Sequence, residues 1–315
     1  MPLSKNLYTV IGLSAILMWS TLVGLIRLIS ERIDPVTSVT LLYSLSTLIL
    51  LILFKIPKLN KIPKQYLLLA TLLFVSYELC FSFSITLANN SQQAIEVGVL
   101  NHLWPSLTIL LMVVFKEIKF HALLILGLSS AFFGIIYIQT NGLNISYHQV
   151  MRNLIDNPLP YILALAAAFI WAFYCLLLKK MSNGENIIAF LFLMTSITLW
   201  IKSLFFSGFN FPPLDLTTWS YLIVAALFLG LGYAAWNIGM VYGNMNVLIS
   251  SSYFIPVISA FFSALLFGIS LKTSFWLGTF LVVFGSILCW ISTSIHSFSL
   301  LKSQKRTGRR TLKLK

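Results

Sequence analysis

The sequence predicts an all-α polytopic membrane protein. We expect ten transmembrane helices, arranged as two inverted five-helix repeats with the N- and C-termini in the cytoplasm. The 315 residues are 58% hydrophobic and only 9% charged, whereas soluble domains average about 25% charged residues. The positive charges favour alternate loops, and rare residue types recur at one spacing in the two halves. These three observations support the fold class.

Ten apolar segments of about 20 residues, the length that crosses a bilayer, follow one another with short links. We divide the chain into a first repeat (1–140), an external connecting segment (141–158), a second repeat (159–295) and a basic cytoplasmic tail (296–315). The predicted helices are 7–27, 36–54, 65–88, 93–115, 120–140, 159–179, 186–206, 217–238, 245–267 and 273–295.

The distribution of charge predicts the orientation. If the N-terminus is cytoplasmic, 16 of the 21 Lys and Arg residues fall in the tail and in the inner loops, and 5 fall outside. The positive-inside rule therefore places both termini in the cytoplasm, which requires an even number of helices. The net charge of +13 is explained by this topology, and we expect no nucleic-acid partner.

The first three predicted helices carry mid-depth residues that lipid does not favour. Trp19 lies halfway along helix 1, Tyr43 lies in helix 2, and Tyr77 and Glu78 lie deep in helix 3. An intramembrane carboxylate is a functional hypothesis by default. Glu78 is therefore a candidate for carrying a proton or for meeting a cationic group.

Predicted helix 4 (93–115) begins with QAIEVGVLNHLWPSLTIL (93–110), which is apolar enough to cross a bilayer yet carries several polar residues. Its leucines form one stripe on a helical wheel, and a broad arc with Asn101, Trp104 and Pro105 lies opposite. We interpret the arc as the lining of a central cavity. Glu96 and His102 are further possible proton sites, although Glu96 falls on the leucine side and His102 is more simply a hydrogen-bonded bundle residue.

The second half repeats features of the first. Pro105 and Pro256 are 151 residues apart, and so are Gly127 and Gly278; Trp19 and Trp171 are 152 apart. Repeats of five helices must cross the membrane in opposite senses, which is the plan of many secondary transporters with a midplane substrate site.

The predicted cavity is aromatic. Trp19, Trp104 and Trp171 lie at mid-depth, although tryptophan usually collects at membrane interfaces. Ordinary aromatic packing between helices is the alternative explanation. The further candidates for substrate contact are Tyr43, Tyr77, Tyr174 and Tyr253. The tryptophans near predicted helix ends are expected at the interfaces: Trp219, Trp236, Trp276 and Trp290.

Pro105 and Pro256 are predicted to kink helices 4 and 9 and to act in gating. A proline leaves the carbonyl four residues earlier without its usual donor. These carbonyls belong to Asn101 and Ser252. Each could receive a ligand ammonium, or be satisfied by water or a neighbouring hydroxyl.

Motifs for an enzyme are missing from the sequence. It has no HExxH, GxSxG or Walker A motif and no phosphate-binding glycine loop. The three cysteines fall in predicted helices without metal-binding spacing. We expect no enzymatic activity, no cofactor and no metal.

Seven blocks, in order along the chain, resemble the YddG-type aromatic amino acid exporters of the drug/metabolite transporter (DMT) superfamily, which have paired EamA-like repeats. The blocks are LMWSTLVGLIR (17–27), LLFVSYELC (72–80), QAIEVGVLNHLWPSLTIL (93–110), AAFIWAFYC (167–175), YAAWNIGMVYGN (233–244), SSYFIPVISA (251–260) and SFWLGTFLVVFGSILCW (274–290). Only the basic tail lies outside the resemblance.

The resemblance implies a multi-pass exporter of the bacterial inner membrane that moves aromatic, and some other, amino acids out of the cytoplasm by alternating access. Its partners would be the small-molecule substrate and the lipid bilayer, and a monomer is compatible with it. Two alternatives stay open: a transporter of the same fold for another solute, such as a drug cation or a nucleobase, and a non-transport membrane scaffold.

Overall fold

The computed structural model describes residues 4–30, 32–54, 59–89, 91–140, 142–143, 147–207, 214–268 and 270–311. No strand occurs in these ranges. The α-helices are α1 (Lys5–Ser30), α2 (Pro35–Phe54), α3 (Lys64–Thr86), α4 (Ser91–Asn101), α5 (Trp104–Val114), α6 (Ala122–Gln139), α7 (Tyr147–Asp156), α8 (Leu159–Met181), α9 (Ile188–Lys202), α10 (Leu216–Tyr242), α11 (Met245–Ser252), α12 (Ile255–Phe267) and α13 (Thr273–Thr311).

Within the described part of the chain, nine segments are long and apolar enough to cross a membrane. They coincide with predicted helices 1 to 8 and 10. Predicted helix 9 corresponds to α11 and α12, which have 8 and 13 residues. The connecting segment holds the short helix α7. The last helix, α13, runs on to Thr311, so it extends into the predicted tail.

The structure breaks predicted helices 4 and 9 at their prolines. Pro105 is the second residue of α5, and Pro256 is the second residue of α12. The preceding helices end at Asn101 and Ser252. These are the residues whose carbonyls a proline four positions later cannot satisfy.

The helices of the two halves pack against each other in a regular pattern. Helix α1 lies against α10 and α3 against α8, while α2 lies against α9 and α6 against α13. Suppose that predicted helices 1–5 correspond to predicted helices 6–10. The α1–α10 contact then corresponds to the α8–α3 contact. The α2–α9 and α6–α13 contacts each join two corresponding helices.

Glycines allow α6 and α13 to approach closely. A Cβ added at Gly127 would lie 2.8 Å from the carbonyl oxygen of Gly285, and one at Gly134 would lie 2.7 Å from that of Gly278. Small residues let membrane helices approach at backbone distance. Larger side chains at these four positions would separate the two helices.

The outer surface of the bundle is apolar. Among the large hydrophobic side chains there, Ile52 is 77% exposed and Leu68 is 70% exposed. Soluble monomers rarely expose continuous apolar surface on this scale, so this surface is suited to lipid. The largest buried side chains, by contrast, include Trp171, Trp236, Tyr174 and Phe74, which places an aromatic core inside the bundle.

Candidate functional site

Four tryptophans and a tyrosine meet inside the bundle, and we call them the aromatic cluster: Trp19 (α1), Trp104 (α5), Trp171 (α8), Tyr233 and Trp236 (α10). The Trp19 ring centroid lies 6.3 Å from that of Trp171 and 5.3 Å from that of Trp236. Trp104 lies 6.2 Å from Trp171 and 5.6 Å from Trp236. The structure thus brings together the three tryptophans predicted at mid-depth.

Trp236 corrects the sequence prediction. We expected it at a membrane interface because predicted helix 8 ended at 238. Helix α10 continues to Tyr242, and Trp236 is completely buried. The small residues beside it, Gly232 and Ala235, were the available signal, because close helix approach places their neighbours in the core. Tyr233, which lies beside the same small residues, was not among the predicted site residues.

Two predicted tyrosines flank the aromatic cluster. The ring centroid of Tyr77 lies 4.7 Å from that of Trp171, and the Tyr174 ring stacks on Trp171 at 5.0 Å. The Asn237 amide donates a hydrogen bond to the Tyr174 hydroxyl at 3.0 Å. Phe74 lies between Tyr174 and Tyr233, with centroid distances of 5.6 and 5.2 Å. Phe74 and Asn237 were not predicted.

Glu78 is bonded to two phenols from other helices, and we call Tyr43, Glu78 and Tyr233 the carboxyl–tyrosine triad. The Tyr43 hydroxyl on α2 donates to Glu78 Oε2. The Tyr233 hydroxyl on α10 donates to Glu78 Oε1 at 2.6 Å. Glu78 is 4% exposed. The triad shares Tyr233 with the aromatic cluster, so the deep carboxyl borders it directly.

Three buried polar atoms around the cluster have no hydrogen bond of normal geometry in the described part of the chain. They are Nε1 of Trp19, Oδ1 of Asn101 and Nε1 of Trp236, which faces the weakly accepting thiol of Cys175. Buried polar groups are normally bonded, and each exception needs an explanation. Two are N–H donors and one is a carbonyl acceptor, which are the groups that carboxylate and ammonium ligands need.

Glu96 lies in a different environment. Tyr161, near the start of α8, donates to its Oε2, and the Asn153 amide of α7 approaches the same oxygen at 3.4 Å. Tyr161 and Trp171 are ten positions apart on α8, which is about 15 Å along a helix. Glu96 thus joins α4 to α7 and α8 and does not line the aromatic cluster.

His102 lies in the break between α4 and α5. Its Nδ1 is 2.7 Å from the carbonyl oxygen of Gly98 and 3.5 Å from Nε2 of Gln139. His102 is thus a hydrogen-bonded residue of the bundle, which is the simpler of the two interpretations given above.

Ser252 and Tyr253 lie outside the aromatic cluster. The Ser252 hydroxyl donates to the Ile249 carbonyl at 2.6 Å. The Tyr253 ring is buried in a separate apolar group that includes Ile135 and Val282, and its hydroxyl bonds to that of Ser106. Tyr253 therefore ties the break between α11 and α12 to α5.

The two ends of the bundle are held by charged contacts between its halves. At the end that carries Lys5, which we call the lysine end, Lys180 Nζ lies 2.8 Å from Glu117 Oε1. There Lys179 also donates to the Val241 carbonyl at 2.9 Å. A small cavity of about 190 Å³, lined by Lys5, Glu117 and Asn246 among others, opens beside them.

At the opposite end, which we call the arginine end, Arg32 Nη1 lies 3.3 Å from Asp215 Oδ2 and 3.2 Å from Thr218 Oγ1. Asp215 caps α10. Hydrogen bonds from the hydroxyl and backbone N–H of Thr218 hold the pKa of Asp215 below its usual value. The carboxylate is therefore ionised at neutral pH and available to Arg32.

Aromatic faces, indole N–H groups and a deep carboxyl converge between helices of both halves. Within the described residues, no group of three or more His, Cys, Asp or Glu side chains could hold a metal ion.

Comparisons with known proteins identify relatives along nearly the whole chain. The sequence profile of the EamA-like transporter family matches residues 7–140 and again residues 158–291. The aromatic amino acid exporter YddG of Escherichia coli (strain K12) is 41% identical over 293 residues, covering 92% of this chain and 99% of the relative. The aromatic amino acid exporter YddG of Salmonella typhimurium is 42% identical over 287 residues, covering 90% and 97%.

A crystal structure of another protein has the same fold. It superposes with a TM-score of 0.76 at 19% identity and covers 92% of this chain and 100% of the other. At that identity the likeness concerns the fold alone.

Proposed function

The chain belongs to the EamA-like transporter family, and from this premise we propose that it exports aromatic amino acids across the bacterial inner membrane by alternating access. Two exporters of aromatic amino acids share 41% and 42% of its residues over most of its length. The observation that carries the proposal on the structural side is the meeting of four tryptophans inside the bundle.

We propose that ten helices form two inverted repeats. The two separate matches of the family profile support this organisation. So do contacts between residues at the repeat spacing: Trp19 lies against Trp171, and the hydroxyls of Ser44 and Ser196, 152 positions apart, are 3.1 Å apart. Repeat partners that touch each other lie beside a pseudo-two-fold axis.

The glycine contacts between α6 and α13 follow the same symmetry. The repeat spacing pairs Gly127 with Gly278 and Gly134 with Gly285. If each glycine is replaced by its repeat partner, the contact between Gly127 and Gly285 becomes a contact between Gly278 and Gly134. Both contacts occur in the structure. On this plan both termini lie in the cytoplasm, with the lysine end inside. All the residues in the proposed mechanism belong to one chain, so the mechanism requires no second copy.

The substrate would bind as a zwitterion. Its ring would insert among Trp19, Trp104 and Trp171, where edge-to-face contacts between aromatic rings are favourable. Its carboxylate would accept hydrogen bonds from the indole N–H groups of Trp19 and Trp236, and its ammonium would donate to Asn101. Satisfying three buried polar atoms would offset the loss of hydration.

Alternating access would use the two broken helices. The breaks before Pro105 and Pro256 let α5 and α12 move relative to α4 and α11, because the two prolines have no N–H with which to bond the carbonyls of Asn101 and Ser252. The ionic contacts at the lysine and arginine ends would then open in turn.

Counterflow in proteoliposomes tests the proposal. Vesicles loaded with unlabelled phenylalanine, tyrosine or tryptophan should take up the labelled amino acid, while vesicles loaded with alanine give the background. Trp104→Ala should remove the uptake and the conservative change Trp276→Phe, on the exposed surface, should retain it. A folded preparation that exchanges none of the three amino acids would exclude the proposed function.

A further inference from the structure

We propose that Glu78, held by the hydroxyls of Tyr43 and Tyr233, is a proton-binding site that couples amino acid export to proton entry. The inference rests on the proposed function for its cargo. The proton site itself rests on the geometry of the triad.

The triad joins three helices at one buried carboxyl. Each oxygen of Glu78 on α3 accepts one phenol hydrogen bond, from Tyr43 on α2 and from Tyr233 on α10. Phe192 stacks on Tyr43 at 5.3 Å, and Phe74 lies 5.2 Å from Tyr233. Apolar rings thus cover both phenols, and the ion pairs found within the described residues do not include Glu78.

The two protonation states of Glu78 bond differently. An ionised carboxylate accepts from both phenols, and such charge-assisted bonds are about twice as strong as neutral ones. A neutral carboxyl has an O–H of its own that needs an acceptor. Protonation therefore changes the bonds that tie α2 and α3 to α10. Bearing a charge here without a cation is costly, which gives the proton a reason to bind.

Among the titratable side chains around Glu78, only the Glu78 carboxyl can gain and lose a proton at physiological pH. The titratable side chains nearby are Tyr43 on α2, Tyr77 on α3, Tyr174 on α8 and Tyr233 on α10; α9 contributes the ring of Phe192. Phenols ionise near pH 10 and remain neutral under physiological conditions. The carboxyl is then the group that gains and loses a proton.

Tyr233 connects the proton site to the cargo. Its ring lies 4.9 Å from that of Trp19 and 5.4 Å from that of Trp171. Protonation of Glu78 weakens the bond that holds the Tyr233 hydroxyl, which frees the Tyr233 ring to take the place of a substrate ring among these tryptophans, so bound proton and bound substrate disfavour each other. By linkage, proton binding and substrate binding then change each other's affinity by the same factor.

The coupled cycle balances. A proton from the outer side binds Glu78 and makes the neutral acid, the transporter reorients, and the proton leaves to the cytoplasm, restoring the carboxylate. One zwitterionic amino acid leaves the cell in the opposite half of the cycle. Each turn moves one positive charge inward, so both the pH gradient and the membrane potential drive export.

The test uses the full chain in proteoliposomes with labelled phenylalanine and an interior more acidic than the medium. The wild type should accumulate phenylalanine above equilibrium, by up to about tenfold for each pH unit. Glu78→Gln, which is neutral and of the same shape, should lose this accumulation and keep counterflow. Glu96→Gln removes the other carboxyl predicted in the membrane and should behave as the wild type.

Two results would overturn the proton site: a wild type that exchanges phenylalanine but ignores the pH gradient, or a Glu78→Gln variant that still accumulates it. If Glu78→Gln does not fold, Tyr233→Phe keeps the carboxyl and the ring. It removes one donor to the carboxylate, so it should move the pH profile of transport to higher pH; an unmoved profile contradicts the coupling.

A readout without substrate separates this inference from the proposed function. Infrared titration of the purified protein should show the carbonyl band of a buried carboxylic acid, absent in Glu78→Gln and present in Glu96→Gln. If the wild type exchanges no aromatic amino acid but shows this pattern, the cargo assignment fails and the proton site stands. A band of unchanged intensity in Glu78→Gln refutes the site.

Discussion

The position of the Trp19 indole depends on Gly232, which has no side chain. A Cβ added at Gly232 would lie 2.7 Å from Nε1 of Trp19, closer than real side chains approach. The indole therefore fits beside Tyr233 and Trp236 only because α10 carries glycine there, and its unpartnered N–H remains inside the cluster.

Gly232→Ala should reduce phenylalanine exchange by about tenfold or more, because the indole must move out of its place and a tenfold loss corresponds to about 1.4 kcal/mol. Gly98→Ala is the matched control, since its Cβ would meet nothing closer than Gln139 at 3.7 Å. Initial rates of counterflow at several substrate concentrations measure both. Equal rates for the two variants would contradict this role of Gly232.

The indole N–H groups can be tested with an aromatic ring kept at each position. Trp19→Phe and Trp236→Phe should each raise KM for phenylalanine roughly tenfold, since a hydrogen bond to a charged group contributes about 1.5–3 kcal/mol. Trp276→Phe changes an indole that is 59% exposed and should leave KM unchanged. If the substrate carboxylate binds elsewhere, all three variants will show the wild-type KM.

At the scale of helices, the breaks in predicted helices 4 and 9 could be predicted because proline acts locally, on the residue four positions before it. The side of the helix that enters the core was harder to predict. Tyr253 follows the predicted break, yet its ring enters the apolar group around Ile135, because tertiary packing decides which way a residue faces at a broken turn.

Contacts between helices could not be predicted from local pattern. Glu78 was identified by its depth, but Tyr233, one of its two phenol partners, lies 155 positions away, and no periodicity specifies that distance. Trp236 was misplaced because the hydropathy of a long apolar helix does not mark its end. Trp19 and Trp171 were placed together because the internal repeat relates them.

Pro105→Ala tests whether the break in helix 4 serves transport. Alanine restores an N–H that can bond the Asn101 carbonyl, so α4 and α5 can join and the bend is disfavoured. We expect transport to fall about tenfold while the melting temperature stays the same or rises. Pro160→Ala, in the first turn of α8 where proline is tolerated, should change neither. A fully active Pro105→Ala variant would assign the motion to other elements.

On the scale of the whole molecule, each end of the bundle carries an ionic contact between the first and second halves. Glu117 with Lys180 holds the lysine end, and Arg32 with Asp215 holds the arginine end. Both pairs are partly exposed, and such pairs contribute about 0.2–1 kcal/mol. Contacts of this size bias an equilibrium without preventing it, which suits a transporter that must open each end in turn.

Reversing the charge of Lys180 should open the lysine end. Lys180→Glu places two negative groups together, whereas the double change Glu117→Lys with Lys180→Glu restores the attraction. Opening is measured by the rate at which a thiol reagent labels a cysteine introduced at Asn246, in a background with Cys80→Ser; the remaining Cys175 and Cys289 are buried. We expect labelling to rise up to about fivefold in the single variant, as 1 kcal/mol implies, and to return to the starting rate in the double variant. Since the arginine end keeps its own pair throughout, equal labelling in all three proteins would mean that the ionic contact at the lysine end does not control access from that end.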